Sequence, residues 1–185
     1  DSLATLSAFR AMGVQIEGPH DGRVQIEGVG LHGLQQPGGP LYLGNSGTSM
    51  RLMSGLLAGQ AFSTTLTGDA SLSGRPMKRV TAPLTSMGAH IDATPDGTAP
   101  LLVHGGAALH GIEYHMPVAS AQVKSSLLLA GLYATGQTCV TEPAPTRDHT
   151  ERMLSGMGYP LERDGARVCI EGGHRLQGIS SDVPA

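Results

Sequence analysis

The sequence contains no tryptophan, and only 3 % of its residues are aromatic. Its core must therefore be built from Leu, Val, Ile, Met and Ala, whose close packing needs no large rings. A basic excess is also missing: 12 Lys and Arg stand against 15 Asp and Glu, a formal net charge of -3. That balance argues against a nucleic-acid or anionic-membrane surface, so any anion site must be local. No apolar run approaches the ~20 residues of a membrane span, and the N-terminal residues lack the zones of a secretory signal. A soluble, cytoplasmic chain is the expectation. The two cysteines, Cys139 and Cys169, show neither metal-ligand spacing nor a disulfide framework, and reduced thiols are expected. The eight His are likewise without metal-ligand spacing, and no Ser/His/Asp or Cys/His grouping is evident. These absences leave no expected metal, cofactor or catalytic nucleophile.

What the sequence has is glycine, 27 residues with 12 prolines, the glycine being roughly twice the usual ~7 %. Many tight turns between short elements follow. The turns recur. Met12-Gly13, Met87-Gly88 and Met157-Gly158 each close an amphipathic stretch, and glycine just past a helix is the expected stop. An Asp-Gly pair follows each stop, at Asp21, Asp96 and Asp164, between runs that read as hairpins. Leu31-His32-Gly33, Leu109-His110-Gly111 and Leu176-Gln177-Gly178 come next. With Leu56-Leu57-Ala58-Gly59 repeated at 128–131, the period is roughly 70 to 75 residues.

The unit reads strand, helix, strand, helix, hairpin. Its helices are expected over 48–59 and 76–87 in one copy and over 121–134 and 148–157 in the next. The first helix of each is apolar nearly all round, which suggests burial between sheets; Pro83 should kink the helix expected over 76–87. One domain over 1–185 is expected, with repeats at about 1–38 (partial), 39–111 and 112–180. At 185 residues such a chain can bury about 70 % of its unfolded surface.

If the copies pack about a common axis, equivalent helix starts share one end of the domain. Each free start carries unpaired N–H groups and a partial positive charge suited to phosphate or carboxylate. The loop Gly44-Asn45-Ser46-Gly47-Thr48 opens one such helix and Ser120-Ala121-Gln122 the next, with Gly47 and Ser120 in matching places. Arg75 precedes the helix opened by Pro76, and Arg147 the one opened by Asp148, so two anionic groups are implied. Asp1-Ser2 is the corresponding start in the first copy and carries no such charge. Asp148-His149-Thr150-Glu151 has capping-box spacing, which makes Asp148 and Glu151 helix-start residues. Arg51, Lys78, Arg79 and Lys124 read as solvated charges, with Arg51 also a candidate to face the site. Gly28 to Gly33 fits G-x-G-x-x-G, but no helix follows, so a dinucleotide reading fails.

Four ordered motifs, residues 43–51, 68–77, 120–125 and 146–151, together resemble the 5-enolpyruvylshikimate-3-phosphate (EPSP) synthases among the enolpyruvyl transferases. The resemblance implies an α/β fold of the inside-out barrel type, a pseudo-threefold repeat of βαβαββ units with helices buried and sheets outside. It implies that Ser120, Ala121, Gln122 and Arg147 hold shikimate 3-phosphate. Gly47, Arg75 and Gln122 would line a phosphoenolpyruvate pocket, with Asn45, Thr48 and Arg51 shaping its loop. The family's Lys-Ser motif, catalytic Asp and Glu, and further Lys and Arg have no counterpart in this chain. It therefore looks like a dissected domain that binds shikimate 3-phosphate weakly without turnover, its partner being the second domain of the same enzyme. The relative that acts on UDP-N-acetylglucosamine carries a Cys in the loop before its Arg-Pro pair, and the loop from Asp69 to Gly74 has none. A non-catalytic anion-binding module is the alternative from another class.

Overall fold

A computed structural model describes residues 2–183. The chain opens with α1 (Ser2–Ala11) and a hairpin of β1 (Gln15–His20) and β2 (Arg23–Glu27). It continues through an irregular stretch to β3 (Leu41–Tyr42), α2 (Gly47–Ala58), β4 (Thr64–Thr67), the short α3 (Ala70–Ser73), α4 (Lys78–Ser86), β5 (Ile91–Asp92) and β6 (Leu101–Val103). The last third is β7 (Glu113–His115), α5 (Ala121–Gly131), β8 (Gln137–Thr141), α6 (His149–Gly156), β9 (Glu162–Asp164) and β10 (Arg167–Glu171). Asp1, Pro184 and Ala185 lie outside the described residues, so the Asp1 half of the first expected helix start does too.

Two four-stranded sheets share one order, β3-β4-β6-β5 and β7-β8-β10-β9. In each, the first pair is parallel and joined by a buried crossover helix, while the other pairs are antiparallel. The crossover helices α2 and α5 pack on each other. Gly55 sits in this contact, where a Cβ would lie 2.0 Å from the Ser126 carbonyl oxygen, so only glycine allows the approach. The core is aliphatic and methionine-rich, with Met12, Leu43, Met50, Leu57, Leu66, Leu84, Met87, Leu101 and Leu127 fully buried. At about 25 cal/mol per Å² of apolar surface removed from water, each such side chain is worth roughly 1.5–3 kcal/mol.

The three Met-Gly stops are one structure built three times. Gly13, Gly88 and Gly158 have φ of 86°, 99° and 76°. The next residue's N–H reaches back to the helix, Val14 to Phe9 at 3.1 Å, Ala89 to Leu84 at 3.0 Å and Tyr159 to Leu154 at 2.9 Å. This is the left-handed glycine cap that satisfies the last carbonyls of a helix. The methionine carbonyls of Met12, Met87 and Met157 then accept from Gln35, His110 and Gln177. The segment that matches Leu109-His110 and Leu176-Gln177 is thus Leu34-Gln35. The expected match at Leu31-His32 is three residues out of register, because Leu-His-Gly-Leu-Gln offers two similar frames.

Other expectations are corrected by the fold. Cys139 and Cys169 are directly opposite across β8 and β10 and form a disulfide; their 30-residue spacing does not reveal that cross-strand register. The second helix of the 39–111 copy begins at Lys78 rather than Pro76, and α3, capped by the Asp69 carboxylate on the Leu72 N–H at 2.8 Å, intervenes unforeseen. Pro83 lies inside a helix as expected, buried in α4, which continues on both sides of it. Among the described residues no helix is long and apolar enough to cross a membrane.

Candidate functional site

The starts of α2 and α5 lie side by side because their helices pack along their length. Ser46 caps α2, accepting from the Ser49 N–H at 3.1 Å, and Ser120 caps α5, accepting from Val123 at 3.3 Å. Counting from these caps, Ser120 corresponds to Ser46 and not to Gly47, a shift of one residue from the sequence alignment. Gln122 ties the two starts together. Its amide oxygen accepts from Arg51 Nη1 at 2.8 Å and its amide nitrogen donates to Thr48 Oγ1 at 2.8 Å. Arg51 also donates from Nη2 to the Pro76 carbonyl at 3.3 Å, which brings the segment before α4 to the same place. Thr5 of α1 joins through Ser49, hydroxyl to hydroxyl at 2.6 Å.

Arg75 does not stand at a helix terminus, as expected, but in the turn between α3 and α4. Its Nη2 donates to Asn45 Oδ1, and Asn45 Nδ2 donates in turn to Asp69 Oδ2 at 2.9 Å. The Leu72 N–H, then Asn45, Ser71 and the charge of Arg75 hold the Asp69 carboxyl below the usual aspartate range, against a smaller opposing effect of desolvation. Gly47 is buried under both arginines. A Cβ there would lie 2.9 Å from Arg51 Nη1 and 3.0 Å from Arg75 Nη1. Burial first, and then the charges of Arg75 and Arg79, pull Arg51 below the ordinary arginine value. Three cations converging with one nearby carboxylate make a patch that an anion would relieve.

On the other side of Gln122 lies an open pocket of about 480 Å³, lined by Ala119, Ser120, Ala121, Gln122, Pro145, Thr146 and Arg147. The guanidinium of Arg147 forms no hydrogen bond or ion pair among the described residues. Ser120, Ala121, Gln122 and Arg147 therefore face one pocket, while Asn45, Gly47, Thr48, Arg51 and Arg75 form the adjoining cluster, with Gln122 shared. The starts of α2 and α5 and the segments before α4 and α6 meet at one end of the fold.

Lys124 is the residue the sequence reading misplaced. It is fully buried, with Nζ 2.8 Å from Glu142 Oε2 and 2.6 Å from Glu151 Oε1. The capping box at Asp148 does not form: Asp148 makes no side-chain cap, turning to Arg152 at 3.1 Å and Arg163 at 3.2 Å, while Glu151 points inward to Lys124. A sequence signal existed, since a lone lysine on a helix apolar nearly all round needs a carboxylate partner.

Far along the first four-stranded sheet, the β5 and β6 ladder sets His90 and His104 opposite each other with rings stacked at 4.2 Å, and Asp92 Oδ2 lies 2.7 Å from His104 Nε2. Linear spacing gave no sign of this grouping, the one set of possible metal donors among the described residues, and its donor atoms lie within 4.8 Å of one another. It shares no residue with the pocket or the arginine cluster.

Comparison with known proteins bears on what such a surface holds. The sequence model of the family EPSP synthase (3-phosphoshikimate 1-carboxyvinyltransferase) matches residues 1–185. The chain is 73 % identical over 185 residues to a 3-phosphoshikimate 1-carboxyvinyltransferase of Alkalilimnicola ehrlichii, matching all of this chain and 42 % of that protein. The corresponding protein of Methylococcus capsulatus is 72 % identical over the same spans. A solved EPSP synthase structure from Acinetobacter baumannii superposes with a TM-score of 0.95 at 58 % identity, covering 96 % of this chain and 40 % of that one. The chain thus spans about two fifths of the length of the relatives it matches.

Proposed function

This chain belongs to the EPSP synthase family, and from that membership we propose that it is a substrate-binding domain of a 3-phosphoshikimate 1-carboxyvinyltransferase. In the reaction the enolpyruvyl group of phosphoenolpyruvate passes to the 5-hydroxyl of shikimate 3-phosphate through a tetrahedral intermediate. The 5-hydroxyl loses its proton as the new ether C–O bond forms and the methylene carbon of phosphoenolpyruvate gains one. The resulting methyl then gives up a proton as the C–O bond to phosphate breaks, so that the net hydroxyl proton leaves with inorganic phosphate. The pathway served is the shikimate route to aromatic amino acids, in the cytoplasm. No cofactor or metal is required.

Within this chain the work is binding and charge placement. The 3-phosphate sits in the pocket of Ser120, Ala121 and Gln122, opposite Arg147. Phosphoenolpyruvate lies over Gly47 against Arg75 and Gln122, with Asn45, Thr48 and Arg51 holding that loop in shape. Gln122 is in contact with both subsites and sets their separation, which is the kind of fixed juxtaposition that lowers the entropic barrier to a two-substrate reaction. The groups that move protons come from the second domain, so the chain alone binds without turning over. Residues 1–185 act as one domain of that enzyme, in units of about 1–38, 39–111 and 112–180.

The observation that carries this reading is the unpaired guanidinium of Arg147 across one pocket from Ser120 and Gln122. A ¹⁵N NMR titration with shikimate 3-phosphate at millimolar concentration should shift the amides of Ser120, Gln122 and Arg147 and leave those of β1 and β2 in place. No shift at the first three sinks the reading. Transferase activity on adding the missing domain separates it from a non-catalytic anion-binding module, which would gain none.

A further inference from the structure

The carboxylate ends of Glu142 and Glu151 converge on Lys124, and these three side chains come from three different elements. Lys124 is on the first turn of α5, two residues past Gln122. Glu142 directly follows β8, at the base of the loop that carries Arg147. Glu151 is on the first turn of α6, four residues after Arg147. The Lys124 side chain is 0 % exposed, that of Glu142 11 % and that of Glu151 2 %. Thr146 Oγ1 donates to Glu142 Oε1, so the residue just before Arg147 hangs from the same carboxylate, and Thr150 Oγ1 donates to Ser125 Oγ at 2.7 Å beside it. Glu151 Oε2 is buried without a hydrogen-bond partner.

We propose that Lys124 is a positioning residue: its ammonium, gripped by Glu142 and Glu151, fixes the Arg147 loop at the distance from Ser120 and Gln122 that a phosphorylated substrate requires. This rests on the reading of that pocket as the shikimate 3-phosphate subsite. An apolar side chain would serve burial as well or better, because two carboxylates and an ammonium out of water cost much of what they return. Apolar contacts, however, tolerate sliding, whereas hydrogen-bonded ions between three elements define one register. The pocket they underlie must hold a phosphate between a helix start and a guanidinium, where small displacements weaken charge-assisted bonds steeply.

The test compares the wild-type chain with Glu142→Gln and with the neutralised variant Lys124→Met/Glu142→Gln/Glu151→Gln. The neutralised chain should fold with an unfolding midpoint equal to or above wild type, bind shikimate 3-phosphate at least tenfold more weakly, and still show phosphoenolpyruvate-induced shifts at Thr48 and Arg75. A folded variant with wild-type affinity for shikimate 3-phosphate overturns the proposal. If the neutralised chain does not fold, Glu142→Gln decides: it leaves Lys124 its Glu151 partner and should still fold, though less stably, and should bind several-fold more weakly; unchanged affinity overturns the proposal. If the wild-type chain itself fails to bind, the subsite reading falls. Backbone ¹⁵N relaxation then reads the loop directly, with order parameters at Thr146 to Asp148 falling in Glu142→Gln while those of α2 hold; unchanged order parameters overturn the proposal.

Discussion

The first turns of α2 and α5 invite comparison because they are built alike to the backbone. Each has a serine cap, and the N–H four residues on returns to the cap carbonyl at 3.1 Å, Met50 to Ser46 and Lys124 to Ser120. Met50 and Lys124 occupy the same place and are both fully buried. One is apolar and the other is charged. Around α2 the polar bracing lies at the surface, through Ser49, Arg51 and Asn45, above an apolar floor. Around α5 the bracing lies beneath, and the surface arginine is left bare. A cation already hydrogen-bonded from the side can stand over an apolar core, whereas Arg147 has no such neighbour and its loop must be held from below.

The harshest way to break the comparison is to make the two positions identical. Lys124→Met alone leaves Glu142 and Glu151 facing each other in the interior without their cation. The loss should be about 3–5 kcal/mol, the usual result of removing one partner from a buried ion group. Urea denaturation measures it, and a loss below about 1 kcal/mol would mean that the two carboxylates escape to water and that the floor of α5 is not ionic at all. The reverse exchange, Met50→Lys, has no carboxylate waiting and should not yield a stable chain.

Much of the scaffold was legible because its signals are local. The Met-Gly stops and the Asp-Gly turns each depend on a few consecutive residues, and the glycine conformations at 13, 88 and 158 answer directly to sequence. The small polar loops at Asn45 to Thr48 and Ser120 to Gln122 could be read for the same reason. Lys124 could be seen as anomalous but not resolved, since its partners lie 18 and 27 residues away on elements whose register only the packed sheets decide. Asn45 as the acceptor for Arg75, and Cys139 opposite Cys169, belong to the same class. The error at Leu31 is different in kind, arising from a near-repeat within one loop, where local pattern offered two frames and only the bond from Gln35 to Met12 chose between them.

A milder perturbation sharpens the contrast on the α2 side. In Gly47→Ala the new methyl meets Arg51 Nη1 at 2.9 Å, closer than real contacts allow, and Arg75 Nη1 at 3.0 Å, a tight contact, so both guanidinium groups must shift from their places over the loop. Binding of phosphoenolpyruvate and of compounds that mimic it should weaken on the order of tenfold, about 1.4 kcal/mol. Shikimate 3-phosphate, held on the α5 side, should lose much less. Calorimetric titration of both ligands gives the ratio, and equal losses would show that the two subsites are not separately braced.

The smallest effect expected is the share of acid sensitivity that belongs to the surface brace, beside that of the other lowered carboxyls of Asp92, Glu113 and Asp148. Asp69 has its carboxyl held below the usual range, chiefly by the Leu72 N–H and also by Asn45, Ser71 and Arg75. A carboxyl lowered in the folded state adds stability above its unfolded value and loses it as pH falls through the folded value. Wild-type urea midpoints should therefore decline as pH is lowered from 6 to 3. Asp69→Asn keeps a capping oxygen but removes the titrating charge, so its midpoint should start slightly lower and decline less steeply. Since Asp69 is coupled to Arg75 through Asn45 and by its charge, the shifts induced by phosphoenolpyruvate at Arg75 should fade over the same acidic range in wild type and show a weaker pH dependence in Asp69→Asn. Fading at Arg147 with the same slope would mean that the two braces titrate as one unit, contrary to a surface brace on α2 and a buried one under α5.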